Sequence, residues 1–249
     1  MAYFKITAYD AIKAGLLNEE EIMDAKRQLP ASVFRELYLA EPSEDEGNPF
    51  GLSAIHACLA PLTQDAPRWW GWDLAKSVDW TVGIALDNDR RACRFERFQQ
   101  PWGNTLLRIR SATGHTSALV DATGVGDPIV EQLQQGHWNF QGYKFSSQSK
   151  QQLMEGLAVA IQRQSITIPA EPAMVAEIES FEFEVTKTGV RYSAPEGMHD
   201  DTVIALALAV ECSSKDRMLV RQGTSDAGER RYRRQPERRP AYGYPGGGV

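Results

Sequence analysis

The sequence has no apolar run of about 18 residues, which argues against a membrane-spanning helix. Its opening stretch, MAYFKITAYDAIKAGLL, lacks a basic start followed by an apolar block, so it does not read as a secretory signal. Cysteine is scarce. Cys58, Cys93 and Cys212 are far apart, odd in number and never in a CxxC pair. That excludes a disulfide framework and a structural zinc knot, and suits a reducing cytosol. No GxxxxGK[ST] occurs, so there is no phosphate cradle of the Walker type, and the GxG of TGVGDP lacks the third glycine of a dinucleotide fingerprint. Internal repeats are absent. What remains is a chain of 249 residues with 42% hydrophobic content, enough for one domain of about 150–200 residues plus extensions.

The net charge of −6 is unevenly spread. Residues 213–249 hold nine Arg or Lys against four Asp or Glu, a balance of +5 that leaves −11 for the rest. An acidic body still binds DNA if its acids cluster around metal ions and its bases lie elsewhere. From 213 onward, Arg, Pro and Gly dominate and aliphatic residues are few, which predicts a disordered tail. Its arginines are a sequence-blind DNA contact, a docking peptide or only solubilising.

Residues 1–62 read as short helices and a polar connector, with Asn18 as the N-cap of NEEEIMDAKRQL. From residue 63 to 212 the pattern predicts an α/β domain. RWWGWDLA, WTVGIALD and RACRFERFQQ are three strands in close succession, which suggests an antiparallel meander. SALVDATG reads as a strand buried on both faces, and DPIVEQLQQG as a helix capped by Asp127. NFQGYKFS and ITIP are further strands. SSQSKQQLMEGLAVAIQRQ is an amphipathic helix, AMVAEIESF another, and EFEVTKTGVRYSA a hairpin. The expected result is a mixed sheet, a meander extended by parallel strands and flanked by helices. Trp69, Trp70, Trp72 and Trp80 suit its core better than a base-stacking surface.

Ligands of such sheets sit at the carboxyl ends of strands. Asp73 ends RWWGWD, Asp121 ends SALVD, and GMHDDTVIALALA sets Asp200 and Asp201 before an apolar helix. One of that pair can serve as a helix cap, which leaves the other unexplained. Asp73, Asp79 and Asp121 also have plain readings as strand-end or turn residues. If the first strand neighbours SALVD, three carboxylates converge and repel. Hard divalent cations relieve this, and all-oxygen ligands favour Mg²⁺ or Mn²⁺. Two such ions about 3.5–4 Å apart activate water and stabilise the leaving oxygen of a phosphodiester. Beside the acids stands His199, which a two-metal site does not require. Lys144 and Lys150, near a strand-to-helix junction, are candidates for phosphate contact.

In order along the chain, GWDLAKSVDWTVGIALD, SALVDATGVGDPIVEQL and GMHDDTVIALALA resemble the three acidic motifs of the nuclease domain of tailed-phage terminase large subunits. The resemblance covers residues 68–210. It implies a ribonuclease-H-like fold related to Holliday-junction resolvases. It places metal-binding acids at Asp73, Asp121 and Asp201, with Asp200 and Asp79 as helpers. It implies a metal-dependent endonuclease that cuts concatemeric viral DNA during packaging in the cytoplasm of a bacterial host. Double-stranded DNA, portal protein, small terminase subunit and a separate ATPase are the partners it suggests. Residues 1–62 resemble the stretch that leaves a terminase ATPase for its nuclease, so an excised or naturally split chain is expected. A junction resolvase, or a docking module that binds without cutting, is the alternative.

Overall fold

A computed structural model describes residues 5–29, 31–41, 47–74, 80–123, 127–135, 139–186 and 189–232. Four helices come first: α1 (Ala8–Lys13), α2 (Glu19–Gln28), α3 (Ala31–Leu39) and α4 (Leu52–Cys58). The Asn18 side chain accepts from the Glu20 amide and so caps α2. Ala8, Ile22 and Phe34 form a small core among the first three helices. Strand β1 (Leu59–Ala60) follows α4, and then β2 (Trp69–Asp73), β3 (Thr81–Leu86) and β4 (Ala92–Phe98) form the meander. Next are α5 (Trp102–Thr113), β5 (Ser117–Asp121), α6 (Asp127–Gln134), β6 (Phe140–Tyr143) and α7 (Ser147–Gln162). The last elements are β7 (Ile168–Pro169), α8 (Pro172–Ser180), the hairpin β8 (Glu182–Thr186) and β9 (Gly189–Ser193), and α9 (Asp201–Tyr232).

The main sheet has the order β4-β3-β2-β5-β6. β2–β3 and β3–β4 are antiparallel, β2–β5 and β5–β6 parallel. This is the meander extended by parallel strands that the pattern predicts, with β2 at the junction between the two halves. ITIP does form a strand, but β7 pairs with β1 outside the main sheet.

Each face of the sheet carries its own core. On one, Trp69, Ile84 and Leu119 pack with residues of α4, α7, α8 and α9. On the other, Trp70, Trp72, Ala118 and Val120 pack with Ile109 of α5 and Leu133 of α6. Alternation along a strand sends neighbours to opposite faces, so WWGWD serves both cores. The buried Trp72 indole stacks on Trp70 with centroids 4.9 Å apart and donates to Thr113 Oγ1 at 2.9 Å. Opposite it in the register is Gly83. Any side chain at 83 would run into the Trp72 ring. Trp80 differs from its neighbours: it is only partly buried, and the Arg97 guanidinium lies 3.9 Å from its ring centroid.

Residues 1–214 form one compact unit and 215–249 a second. The helix α9 extends to Tyr232, so regular structure continues past residue 213, where the composition predicts none. The segment KDRMLVRQ explains this, since Lys, Arg, Met, Leu and Gln are all good helix formers. Residues 233–249 lie outside the described residues. Among the described residues, no helix is long and apolar enough to cross a membrane. Cys58, Cys93 and Cys212 are free thiols, all buried. Burial raises the Cys58 thiol and pushes Cys93 up to about 11.

Candidate active site

Gly71 fixes the geometry of the acids. A methyl group there would overlap the Ala205 carbonyl oxygen and the Ala209 nitrogen, and would stand 2.8 Å from Leu208 Cβ. Helix α9 therefore lies directly on β2, backbone against backbone. Asp73 is two residues beyond Gly71, on the same face and about 6.6 Å further along the strand. Asp201 is four residues before Ala205, about 6 Å back along the helix. The two displacements match if strand and helix run in opposite directions, which brings Asp73 and Asp201 to the same end.

Asp121 arrives by pairing. Trp72 is in register with Val120, so the next residues, Asp73 and Asp121, end adjacent parallel strands on the same face. Asp121 also does the turn work expected of a strand-end acid, as its Oδ1 accepts from the Thr123 amide at 2.7 Å. Asp73 registers the result. Its carboxyl is held well above the usual carboxylate range, first by burial and then by the charges of Asp121, Asp201 and Asp200. Lys150 acts in the opposite sense. Four carboxylates thus bear on one partly buried point.

The neighbouring acids of GMHDDTVIALALA divide their tasks. Asp200 is at the N-cap position, since its carbonyl accepts from the Ile204 amide at 2.9 Å. Its side chain does not cap the helix. Oδ2 instead accepts from Lys150 Nζ at 3.0 Å. The cation beside Asp200 is therefore a lysine of α7. Asp201 begins the helix, and His199 Nδ1 lies 3.8 Å from its Oδ2. Lys144 is exposed and lines a second depression with Ala122, Glu131 and Gln134. Asp79 lies outside the described residues.

A groove of about 1060 Å³ opens beside this cluster. It is lined by Ser146 and Lys150 from the start of α7 and by Arg191, Tyr192 and Ser193 of β9. Lys150 belongs to both groove and cluster. One contributor has no motif in the sequence: Glu177, on α8, is buried and bonds to Thr202 of α9. It lies 25 residues from its partner, so local spacing gives no cue to it.

The donor set suits a hard divalent cation. It offers carboxylate oxygens and no thiolate, and a cation would compensate the charge that Asp73 resists carrying. Among the described residues, no three His, Cys, Asp or Glu side chains already stand close enough to form a metal-binding group.

The sheet order, with acids at the ends of the adjacent strands β2 and β5 and a helix laid on β2, defines the class: a ribonuclease-H-like α/β fold. Within that class, the chain is similar to the large subunit of phage terminases in the nuclease region. It is 30% identical over 146 residues to the terminase large subunit of Thermus phage G20c, across 56% of this chain and 30% of the relative. The chain thus spans under a third of that relative's length. The crystal structure of the large terminase nuclease of phage G20c superposes with a TM-score of 0.58 at 26% identity, covering 66% of this chain and 98% of that one. The same nuclease with bound magnesium gives a TM-score of 0.57 at 26% identity, covering 64% and 95%. No family model matches the chain.

Proposed function

We propose that this chain is a divalent-metal-dependent endodeoxyribonuclease, the cutting module of a phage DNA-packaging terminase. The observation that carries the reading is that Asp73 and Asp121 end adjacent parallel strands on one face, with helix α9 laid on β2 at Gly71 and beginning at Asp201. The likeness to a terminase nuclease that has been crystallised with magnesium supports it. Mg²⁺ or Mn²⁺, bound as a pair of ions, would supply an activated water and a counter-charge for the leaving oxygen.

The chain's own residues have distinct tasks. Asp73, Asp121 and Asp201 hold the metal on a rigid sheet and helix, so the reacting phosphodiester meets a fixed arrangement. Asp200 is the secondary ligand, restrained by Lys150. The groove between the start of α7 and β9 admits the DNA backbone, with Lys150 and Arg191 as its cations. Asp79 and Lys144 keep only the weaker roles of helper acid and phosphate contact. Concatemeric viral DNA in the host cytoplasm is the proposed substrate. Portal protein, small terminase subunit and a separate ATPase are the proposed partners.

Plasmid nicking tests the reading. The protein should nick duplex DNA with Mn²⁺ or Mg²⁺, stop in EDTA, and lose activity as Asp121→Asn. Cleavage that persists in EDTA would overturn the metal chemistry. Preference for four-way junctions over linear duplex would replace packaging by junction resolution.

A further inference from the structure

Helix α9 carries Asp201 at its first position and Asp200 at its N-cap. An N-cap side chain ordinarily accepts from the amide two or three residues on. Here the Asp200 carboxylate is turned to Lys150. The amide of Thr202 donates instead to Glu177 Oε2 at 2.8 Å, and the Thr202 hydroxyl donates to the same oxygen at 2.6 Å. Glu177 and Thr202 are both buried. A glutamate from α8 thus does the capping that the adjacent acid would otherwise do.

Glu177 is itself anchored. It precedes Ile178 and Glu179, whose carbonyls accept from Asn48 Nδ2 at 2.8 and 3.0 Å. Asn48 Oδ1 in turn accepts from the Phe50 and Gly51 amides at 2.9 and 3.2 Å. The end of α8 is therefore tied to the segment before α4. A buried carboxylate also suits the partial positive charge of a helix N-terminus. We propose that Glu177 is a positioning residue for the acidic site: by capping α9 from outside at Thr202, it fixes the first turn of the helix and with it the place from which Asp201 reaches the metal. This rests on the metal-dependent reading above.

The test compares wild type, Glu177→Ala, Glu177→Gln and Asp73→Asn in two measurements. The first is hydrogen exchange at the Thr202 amide without metal. Exchange should quicken in Glu177→Ala and return near wild type in Glu177→Gln, because a single oxygen accepts both bonds and an amide oxygen can do the same. The second is Mn²⁺ affinity, read from the electron paramagnetic resonance of free Mn²⁺. Glu177→Ala should bind about 10–100-fold more weakly than wild type, the usual cost of losing a group that orients metal ligands. Glu177→Gln should recover most of that loss. As a stability control, Trp72→Phe should leave Mn²⁺ affinity unchanged. Unchanged Thr202 exchange in a folded Glu177→Ala would overturn the capping role, whether or not Mn²⁺ binds. Wild-type Mn²⁺ affinity in Glu177→Ala would overturn the positioning role. Exchange that changes as stated in a protein that binds no Mn²⁺, even as wild type, would sink the metal reading and the link from cap to metal, with the cap itself standing.

Discussion

The two faces of strand β2 differ as sharply as any two regions of the molecule. One presents Trp70 and Trp72, buried and stacked, with Trp72 hydrogen-bonded to α5. The other presents Trp69, then Gly71, and ends in Asp73. The first face is filled by large side chains. The second is hollowed at Gly71 so that a helix backbone can reach the sheet, and that contact carries Asp201 toward Asp73. Five consecutive residues thus serve two cores and place an acid at the end of only one face.

The largest expected effect belongs to the acid. Asp73→Asn should abolish plasmid nicking while leaving the protein folded. Without metal it should melt higher, by on the order of 1 kcal/mol, because one of several crowded charges is gone. The pH dependence has a definite sign. A carboxyl raised on folding binds its proton more tightly in the native state, so the stability it contributes is full below the ordinary value of 3.8 and is lost as pH rises through the raised value. Metal-free wild type should therefore lose stability over that interval relative to Asp73→Asn in paired melting curves. Matching curves would show that the two faces differ in shape only.

Gly71→Ala comes next and should act through the second face. The added methyl meets helix backbone, so α9 must shift, at about 1–3 kcal/mol or more. Mn²⁺ affinity should fall with it, in calorimetric titration, since Asp201 moves with the helix. Trp72→Phe should cost less, about 1 kcal/mol for the bond to Thr113 plus a packing loss, and leave cleavage by the remaining folded protein intact. A specific loss of cleavage in Trp72→Phe would erase the contrast. The smallest effect is expected of Asp200→Asn, which should slow nicking without abolishing it.

Much of this was legible in the residues. Asp73 and Asp121 stand out because each closes an apolar strand, and the order of strands gives the sheet. Helix α9 is announced by its apolar run, and Asp200 and Asp201 by sitting before it. What the sequence hides is long-range. Lys150 is 50 residues from Asp200, and Glu177 is 25 from Thr202. Nothing in local spacing links either pair, and a buried Glu in AMVAEIESF looks like any helix-surface acid. ITIP shows another limit: its strand character is plain, but its partner, β1, is two residues long and reads as the end of a helix.

The thiols have a practical consequence. All three cysteines are buried, and the two nearest the sheet and α4 resist ionisation, so none offers a ready thiolate to a maleimide. The native chain is then close to a cysteine-free background. Met198 is exposed, two residues before Asp200. Met198→Cys would give a single addressable handle beside the acids, where an attached fluorophore would dim as paramagnetic Mn²⁺ arrives. Metal occupancy could be followed in real time without rebuilding the core.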